Sequence, residues 1–254
     1  MKHLVLPDCQ VKPGHDVTYL NKIGRYIVEK QPDKLICIGD FADMASLSSY
    51  DMGKKSFEGR RYTEDITAVH KAMEALLSPI WEYNERAKRN SKKQYKPEMH
   101  LTLGNHENRI NRATENSPQL DGVLSTNDLR YEEYGWKVYP FLEVVEIDGI
   151  AYSHYFTTGL MGRPVTTASA CLAKKHMSCI QGHQQGLQIA TANRPTGTQL
   201  TSIIAGSCYE HNEDYLGPQG NNHWRGFLML HDVQDGMFDL MPVSLSYINK
   251  RYPT

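Results

Sequence analysis

The run Met99-His100-Leu101-Thr102-Leu103-Gly104-Asn105-His106-Glu107 sets a β-strand pattern directly against a polar cluster. Apolar and β-branched residues carry it to Leu103, and then a glycine, an amide, an imidazole and a carboxylate follow without a break. Four other clusters repeat this layout in order along the chain. Asp8-Cys9-Gln10 follows Leu4–Leu6, and Gly39-Asp40-Phe41-Ala42-Asp43 follows Leu35–Ile38. Ser153-His154 closes Val144–Tyr152, and Gly182-His183-Gln184-Gln185 follows Cys179–Ile180. Taken singly, Asp8 is equally a turn cap, Gly39-Asp40 an ordinary strand-to-loop signature and His154 a hydrogen-bonded interior histidine. Jointly, the clusters put carboxylates, an amide and imidazoles at strand ends, where α/β folds gather ligands into one crevice. Such a set suits a two-metal site for phosphoester hydrolysis.

Around those clusters the first half alternates strand and helix: strand Lys2–Leu6, helix Val17–Lys30, strand Lys34–Ile38, helix Glu64–Arg89, strand Glu98–Leu103. Pro32 stops the first helix, and Ile66, Val69, Met73, Leu76, Leu77 and Ile80 keep helical register in the second. This alternation predicts a parallel sheet with helical crossovers. The second half reads as strands at Phe141–Ile147, Ile150–Tyr155, Leu187–Ala192, Leu200–Ala205, Phe227–Val233 and Phe238–Val243, with one helix at about Thr166–His176. Asp148-Gly149 and Asp235-Gly236 are hairpin-turn signals. The expectation is an α/β fold of two facing mixed sheets flanked by helices, as one domain over 1–254 with long loops at about 44–62 and 206–226.

Composition narrows the partners. The formal net charge is −1, so affinity for nucleic acid has to come from local patches. The five cysteines are scattered, without a CxxC pair, and read as buried free thiols of a reducing compartment. No apolar stretch approaches the roughly 20 residues of a transmembrane helix, and no leader precedes the first strand. A soluble cytoplasmic protein with no membrane partner is expected. The oligomeric state is open.

The five clusters resemble the calcineurin-like metallophosphoesterase superfamily, whose blocks run D-x-H, G-D-x-x-D, G-N-H-E/D, H and G-H-x-H. The match spans Asp8 to Gln185, and the whole sequence is similar to uncharacterised bacteriophage members. The resemblance implies a metallophosphoesterase-like sandwich. It makes Asp40 the carboxylate shared by two divalent metals, with Asn105, His154 and His183 completing one site. Asp8, Gln10 and Gln185 would complete the other, with Gln184 as a competitor for the last place. His106 would be the non-ligand histidine that protonates the leaving oxygen after attack by a water that the metals acidify.

Gln10 and Gln185 stand where the family usually has histidine, and both changes fall on the same metal. An amide oxygen in place of an imidazole nitrogen favours Mn²⁺ or Mg²⁺ over Zn²⁺ or Fe²⁺, so Mn²⁺ is the expected ion. Because amides do not titrate near neutrality, this site is expected to be less sensitive to acid than the two-histidine site. A manganese-dependent nucleotide pyrophosphatase branch also carries glutamine in the first block.

Arg109, three residues past His106, and Arg163 are candidate phosphate clamps; for Arg109 the alternative is a salt bridge with Glu107 or Glu115. His211 and His223, in a long loop with Glu213, Asp214 and Tyr215, are candidates for substrate contact or replacement ligands, against an ordinary polar role in that loop. The cations Lys54, Lys55, Arg60 and Arg61 are either a solvated loop or a strand clamp. The function expected is hydrolysis of a phosphodiester or pyrophosphate bond in a nucleotide-type substrate. A nuclease on DNA or RNA and a non-catalytic binding scaffold are the alternatives.

Overall fold

The computed structural model describes residues 1–213 and 216–253, so Asp214 and Tyr215 lie outside the described residues. Strand β1 (His3–Leu6) leads through helix α1 (Thr18–Lys30) to β2 (Lys34–Cys37), and α2 (Tyr62–Arg89) leads to β3 (Glu98–Thr102). After α3 (Asn108–Asn116) the chain adds β4 (Lys137–Tyr139). These four strands are parallel neighbours. A hairpin, β5 (Val145–Ile147) and β6 (Ile150–Ser153), opens the second half, followed by the short pair β7 (Thr157–Thr158) and β8 (Arg163–Pro164). Helix α4 (Ala168–Lys175), strands β9 (Cys179–Gln181), β10 (Leu187–Asn193) and β11 (Gln199–Ala205), and the single turn α5 (Gly217–Gly220) come next. Strands β12 (Gly226–Gln234) and β13 (Met237–Ser244) and helix α6 (Leu245–Arg251) complete the described chain.

Two mixed sheets result, ordered β13-β12-β1-β2-β3-β4 and β10-β11-β9-β6-β5. Alternation along the strands explains their layering. Leu4, Leu6, Leu35, Cys37, Leu101, Phe227 and Met229 share one buried cluster with Leu20, Ile23, Ile27, Val69, Met73 and Leu76 of α1 and α2. The intervening residues Val5, Ile36, Leu228 and Leu230 cluster instead with Ile150, Tyr152, Ile180 and Ile203 of the second sheet. The central strands β12, β1 and β2 are therefore buried on both faces over most of their length, which is why they read as apolar runs. A third cluster, with Cys171 of α4 and Ala151 and Cys179, covers the outer face of the second sheet. All five cysteines are buried and unbridged, and among the described residues no helix is long and apolar enough to cross a membrane.

The expected alternation and both hairpin turns are present: Asp148-Gly149 and Asp235-Gly236 carry positive φ at both residues, the signature of a type I′ turn. The strand expected over Phe141–Ile147 shrinks to Val145–Ile147, because Glu143 N–H turns back to the Pro140 carbonyl and Leu142 adopts φ 68°. Three-residue β4 and seven-residue α6 are too short to show a period, and neither was expected.

The sheets are pinned at the end where β1 begins. Buried His3 bonds the Tyr152 hydroxyl through Nδ1 (2.8 Å) and Asp148 through Nε2 (2.8 Å), while Asp148 also pairs with Lys34 at 2.9 Å. Burial lowers the His3 pKa, against the pull of Asp148. Replacing His3 with Ala should destabilise by about 2–3 kcal/mol, since two polar groups lose their partner. That corresponds to a Tm lower by roughly 5–10 °C. A histidine whose folded pKa is depressed contributes fully above its unfolded pKa, and the contribution fades as pH falls below it. The Tm gap between wild type and His3→Ala should therefore narrow from pH 7 to pH 5.5, measured by thermal melts.

Candidate metal centre

Strands β1, β2, β3, β6 and β9 each end just before one of the polar clusters, so the parallel ends of both sheets deliver them to one edge. One oxygen or nitrogen from each of Asp40, His154 and His183 lies within 4.8 Å of the others. His154, fully buried, uses Nδ1 on the Ile38 carbonyl at 3.0 Å, which makes Nδ1 the protonated nitrogen. Its Nε2 then faces two acceptors, Asn105 Oδ1 at 2.8 Å and Asp40 Oδ2 at 3.3 Å. Two oxygens turned on a ring nitrogen require a cation between them, either a proton or a metal.

The charges agree with that demand. Burial opposes the charged form of His154, but Asp40 overrides it and raises the pKa to about 9. His183 moves the other way, to about 4, through burial and the facing His154. Burial, with Asp40 close by, raises Asp8 to about 7 although His154 opposes the shift. Asp40 itself is held below the usual carboxylate range: burial works against that, and His106 and His154 outweigh it.

Backbone geometry brings these groups this close. Asp8 accepts the His183 N–H on both oxygens (3.1 and 3.0 Å), and a Cβ on Gly182 would sit 2.2 Å from Asp8 Oδ1. A Cβ on Gly104 would sit 2.0 Å from Asp40 Oδ1, so glycine is required at both positions. Gln10, Asp40 and His183 all adopt positive φ (43°, 51° and 65°), a strained state that clusters at ligand sites. Glu107 holds the loops in place. Fully buried, it accepts from the backbone N–H groups of Asp40 (3.0 Å), Ala42 (2.9 Å) and Gly104 (2.8 Å), and from the Tyr131 hydroxyl (3.3 Å).

The two glutamines differ. Gln10 donates its backbone N–H to the Asp40 carbonyl at 2.8 Å, and its side-chain Oε1 is buried without a hydrogen-bond partner. A bare buried amide oxygen is costly unless a cation meets it, so Gln10 fits a ligand role. Gln185 Oε1 accepts from the Tyr209 hydroxyl at 2.9 Å, and no described hydrogen bond joins it to Asp8 or Asp40. Asp8, Asp40, Asn105, His154 and His183 thus come together, the Gln10 backbone is tied to Asp40, and the described side-chain bond of Gln185 goes to Tyr209.

Beside this set, His106 Nδ1 bonds Asp43 Oδ1 at 2.8 Å, and its Nε2 stands 3.7 Å from Asp40 Oδ2. Arg109 does not pair with Glu107 or Glu115. Its guanidinium donates to the Asp43 carbonyl (2.7 Å) and carboxylate (3.1 Å) and reaches His106 Nε2 at 3.3 Å. Lys12 approaches Asp43 at 3.8 Å and pairs with Glu213 at 2.8 Å. Asp43, Glu107, Lys12 and Glu213 had no assigned role from sequence. Asp43 was within reach, as the last residue of the Gly39–Asp43 cluster.

Other candidates are engaged elsewhere. His211 Nε2 bonds Glu213 at 2.7 Å and its ring stacks on Tyr209. His223 uses Nδ1 on the Gly220 carbonyl and Nε2 on Ser207, each at 2.8 Å, leaving no lone pair for a metal. Arg163 is exposed on the β7–β8 hairpin, without a described contact to the cluster. Lys54 and Arg60 both pair with Asp51.

No protein-family model matches the chain, and no curated protein matches it significantly.

Two outcomes follow from the geometry. At pH 7 a divalent cation must displace the His154 proton and part of the Asp8 proton, so Mn²⁺ uptake should release roughly one to two protons. Affinity should then rise from pH 6 to pH 9; calorimetry in buffers of different ionisation enthalpy reads both effects. Gln10→Met, which removes the orphaned oxygen, should leave the metal-free Tm unchanged or higher while lowering Mn²⁺ affinity.

Proposed function

We propose that the chain is a metal-dependent phosphoesterase of the calcineurin-like type, hydrolysing a phosphodiester or pyrophosphate bond in a nucleotide-type substrate. The observation that carries this reading is the convergence of Asp40, Asn105 and His154 lone pairs, with His183 alongside, next to a separate His106–Asp43 pair. In this reading Asp40, Asn105, His154 and His183 hold one cation, and Asp8, Gln10 and Asp40 hold the other, with Gln185 its remaining candidate. Two divalent cations there, Mn²⁺ first and Mg²⁺, Fe²⁺ or Zn²⁺ as substitutes, would supply Lewis acidity toward the phosphoryl group and lower the pKa of water.

The chain's own groups account for the rest. Asp43 holds His106 by Nδ1, so the ring exchanges its proton at Nε2, on the side of Asp40. Burial and the Arg109 guanidinium oppose a charged His106, but Asp40 and Asp43 raise its pKa above the ordinary histidine value, so the ring can hold at Nε2 the proton that a leaving oxygen needs once Arg109 turns to the phosphoryl group. Arg109, anchored on Asp43, puts a fixed positive charge within 3.3 Å of that nitrogen, where phosphoryl charge is to be met. Lys54 and Arg60 are spent on Asp51, which leaves Lys55 and Arg61 as the loop's exposed, unpaired cations among the described residues and weakens its case as a clamp for a nucleic-acid strand.

Asp40→Asn should abolish turnover of bis-nitrophenyl phosphate with added Mn²⁺; more than a few per cent of residual activity with metal bound would sink the shared-ligand role. His106→Gln should cut the maximal rate about 10²–10⁴-fold for an alkyl leaving group, and much less for nitrophenolate. Metal stoichiometry should stay intact in that variant. Equal losses on both leaving groups would remove the acid role from His106. Asp43→Asn should reproduce the same dependence on leaving group in weaker form.

A further inference from the structure

We propose that the end of α2 and the segment returning from it, Arg86 to Lys96, form a docking surface for the phosphate backbone of a nucleic acid. Six cations, Arg86, Lys88, Arg89, Lys92, Lys93 and Lys96, fall within this stretch, and no acidic residue lies between Glu85 and Glu98. All six are exposed, and none enters an ion pair among the described residues. Other cations, such as Lys54 and Arg60 beside Asp51 and Lys12 beside Glu213, are neutralised locally. In a chain of net charge −1 this is a concentrated, uncompensated positive field.

The helix dipole explains only part of it. Cations in a last helical turn are favoured by the partial negative charge there, which covers Arg86, Lys88 and Arg89. Lys92, Lys93 and Lys96 lie beyond the helix. The chain reverses at Ser91 (φ 53°), where the Lys92 N–H closes on the Ala87 carbonyl at 2.8 Å. Asn84 and Tyr95 then bond reciprocally, side-chain amide to backbone carbonyl at 2.8 Å and backbone N–H to side-chain oxygen at 2.7 Å. The Tyr95 hydroxyl is anchored on the Pro32 carbonyl at 2.7 Å. The returning segment is thus clamped along the last turns of α2, and both sets of cations belong to one rigid surface. Such preorganisation lowers the ordering cost of binding.

A nucleic acid fits this surface better than an anionic membrane. No exposed large apolar residue lies between Arg86 and Lys96, so nothing there would enter a bilayer interface. The neighbours Asn90, Ser91 and Gln94 are hydrogen-bonding groups suited to phosphate and sugar. Lys96 sits just before β3, whereas Asn105 follows its far end, so about 25 Å of extended chain separates the surface from the metal centre. Docking there would tether the protein without occupying that centre.

The test uses the whole chain with a chelator present, so that it is independent of any turnover. Fluorescence anisotropy with labelled 20-nucleotide single-stranded DNA, 20-base-pair duplex DNA and matching RNA gives affinity at 50 and 200 mM salt. Engagement of about four cations by duplex corresponds to a slope near −3.6 of log affinity on log salt, a loss of roughly 100-fold or more over that range. Lys88→Glu with Lys92→Glu and Lys93→Glu, at positions that make no side-chain bonds among the described residues, should weaken binding at least tenfold and flatten the slope. The Arg versions of the same three changes should retain it. Lys55→Glu with Arg61→Glu, in the other basic cluster, should change it little. Absence of binding at 50 mM salt overturns the proposal. So does equal binding by the triple Glu variant, an equal loss in the Lys55/Arg61 variant, or capture by phosphatidylserine vesicles without nucleic acid.

Discussion

The carboxylate of Glu107 ties together the two loops on which the site depends. Buried beyond reach of solvent, it takes backbone N–H groups from Asp40 and Ala42 on one loop and Gly104 on the other, with the Tyr131 hydroxyl behind. Burial and the neighbouring Asp40 hold its pKa above the ordinary carboxylate range even against those donors. Its acceptors satisfy backbone groups that would otherwise be orphaned where the chain leaves β2 and β3. An uncompensated buried polar group costs about 1–3 kcal/mol, so several such terms depend on one side chain. It also holds Asp40 in a left-handed backbone conformation, with that carboxylate aimed at His154.

Around this brace the site concentrates acceptors. Asp8 and Asp40 are both buried and close enough to disturb one another, Asn105 and Asp40 turn oxygens on one histidine nitrogen, and Gln10 carries an oxygen with no donor. A protonated His154 relieves only part of this. An interior that hides so many lone pairs is unfavourable in itself, and a divalent cation is the species that reverses the sign of the interaction. The His106–Asp43–Arg109 group adjoins that set and is coupled to it, because His106 and Asp40 shift one another across 3.7 Å. Its positive members are balanced by a carboxylate pushed down to about 2, chiefly through His106 and despite burial. One edge of the fold therefore carries two adjoining groups, the acceptors gathered around Asp40 and His154 and the His106–Asp43–Arg109 set.

Positive charge on the rest of the molecule is arranged differently. Near the candidate centre, cations are paired within the chain and their field is short-ranged. At the opposite end of β3 they are left unpaired and held on a clamped turn. Net charge, as a sum over the chain, conceals this division.

The apolar alternation of the strands, the helical register of α2 and the two Asp-Gly turns were legible in sequence, because each depends on neighbours a few residues away. Gly104 and Gly182, with the carboxylate, amide and imidazole residues beside them, also marked the edge where ligands gather. The partners were not legible. Glu107 stood in a strand-end cluster without a role of its own until the fold buried it under three backbone donors, and Asp43 had no role until His106 and Arg109 closed on it from 63 and 66 residues away. His223 read as a substrate contact, a replacement ligand or an ordinary polar loop residue, and both its nitrogens are consumed by its own loop. Lys54 and Arg60 drew attention that Arg86–Lys96 did not, since ion pairing depends on the path of the backbone between charges. By itself the sequence determined which elements form and which chemical groups reach their ends. Only the tertiary structure decided which of those groups are buried, which are paired and which lone pair or charge is left over, because desolvation and Coulomb energy depend on distances in space that spacing along the chain does not contain.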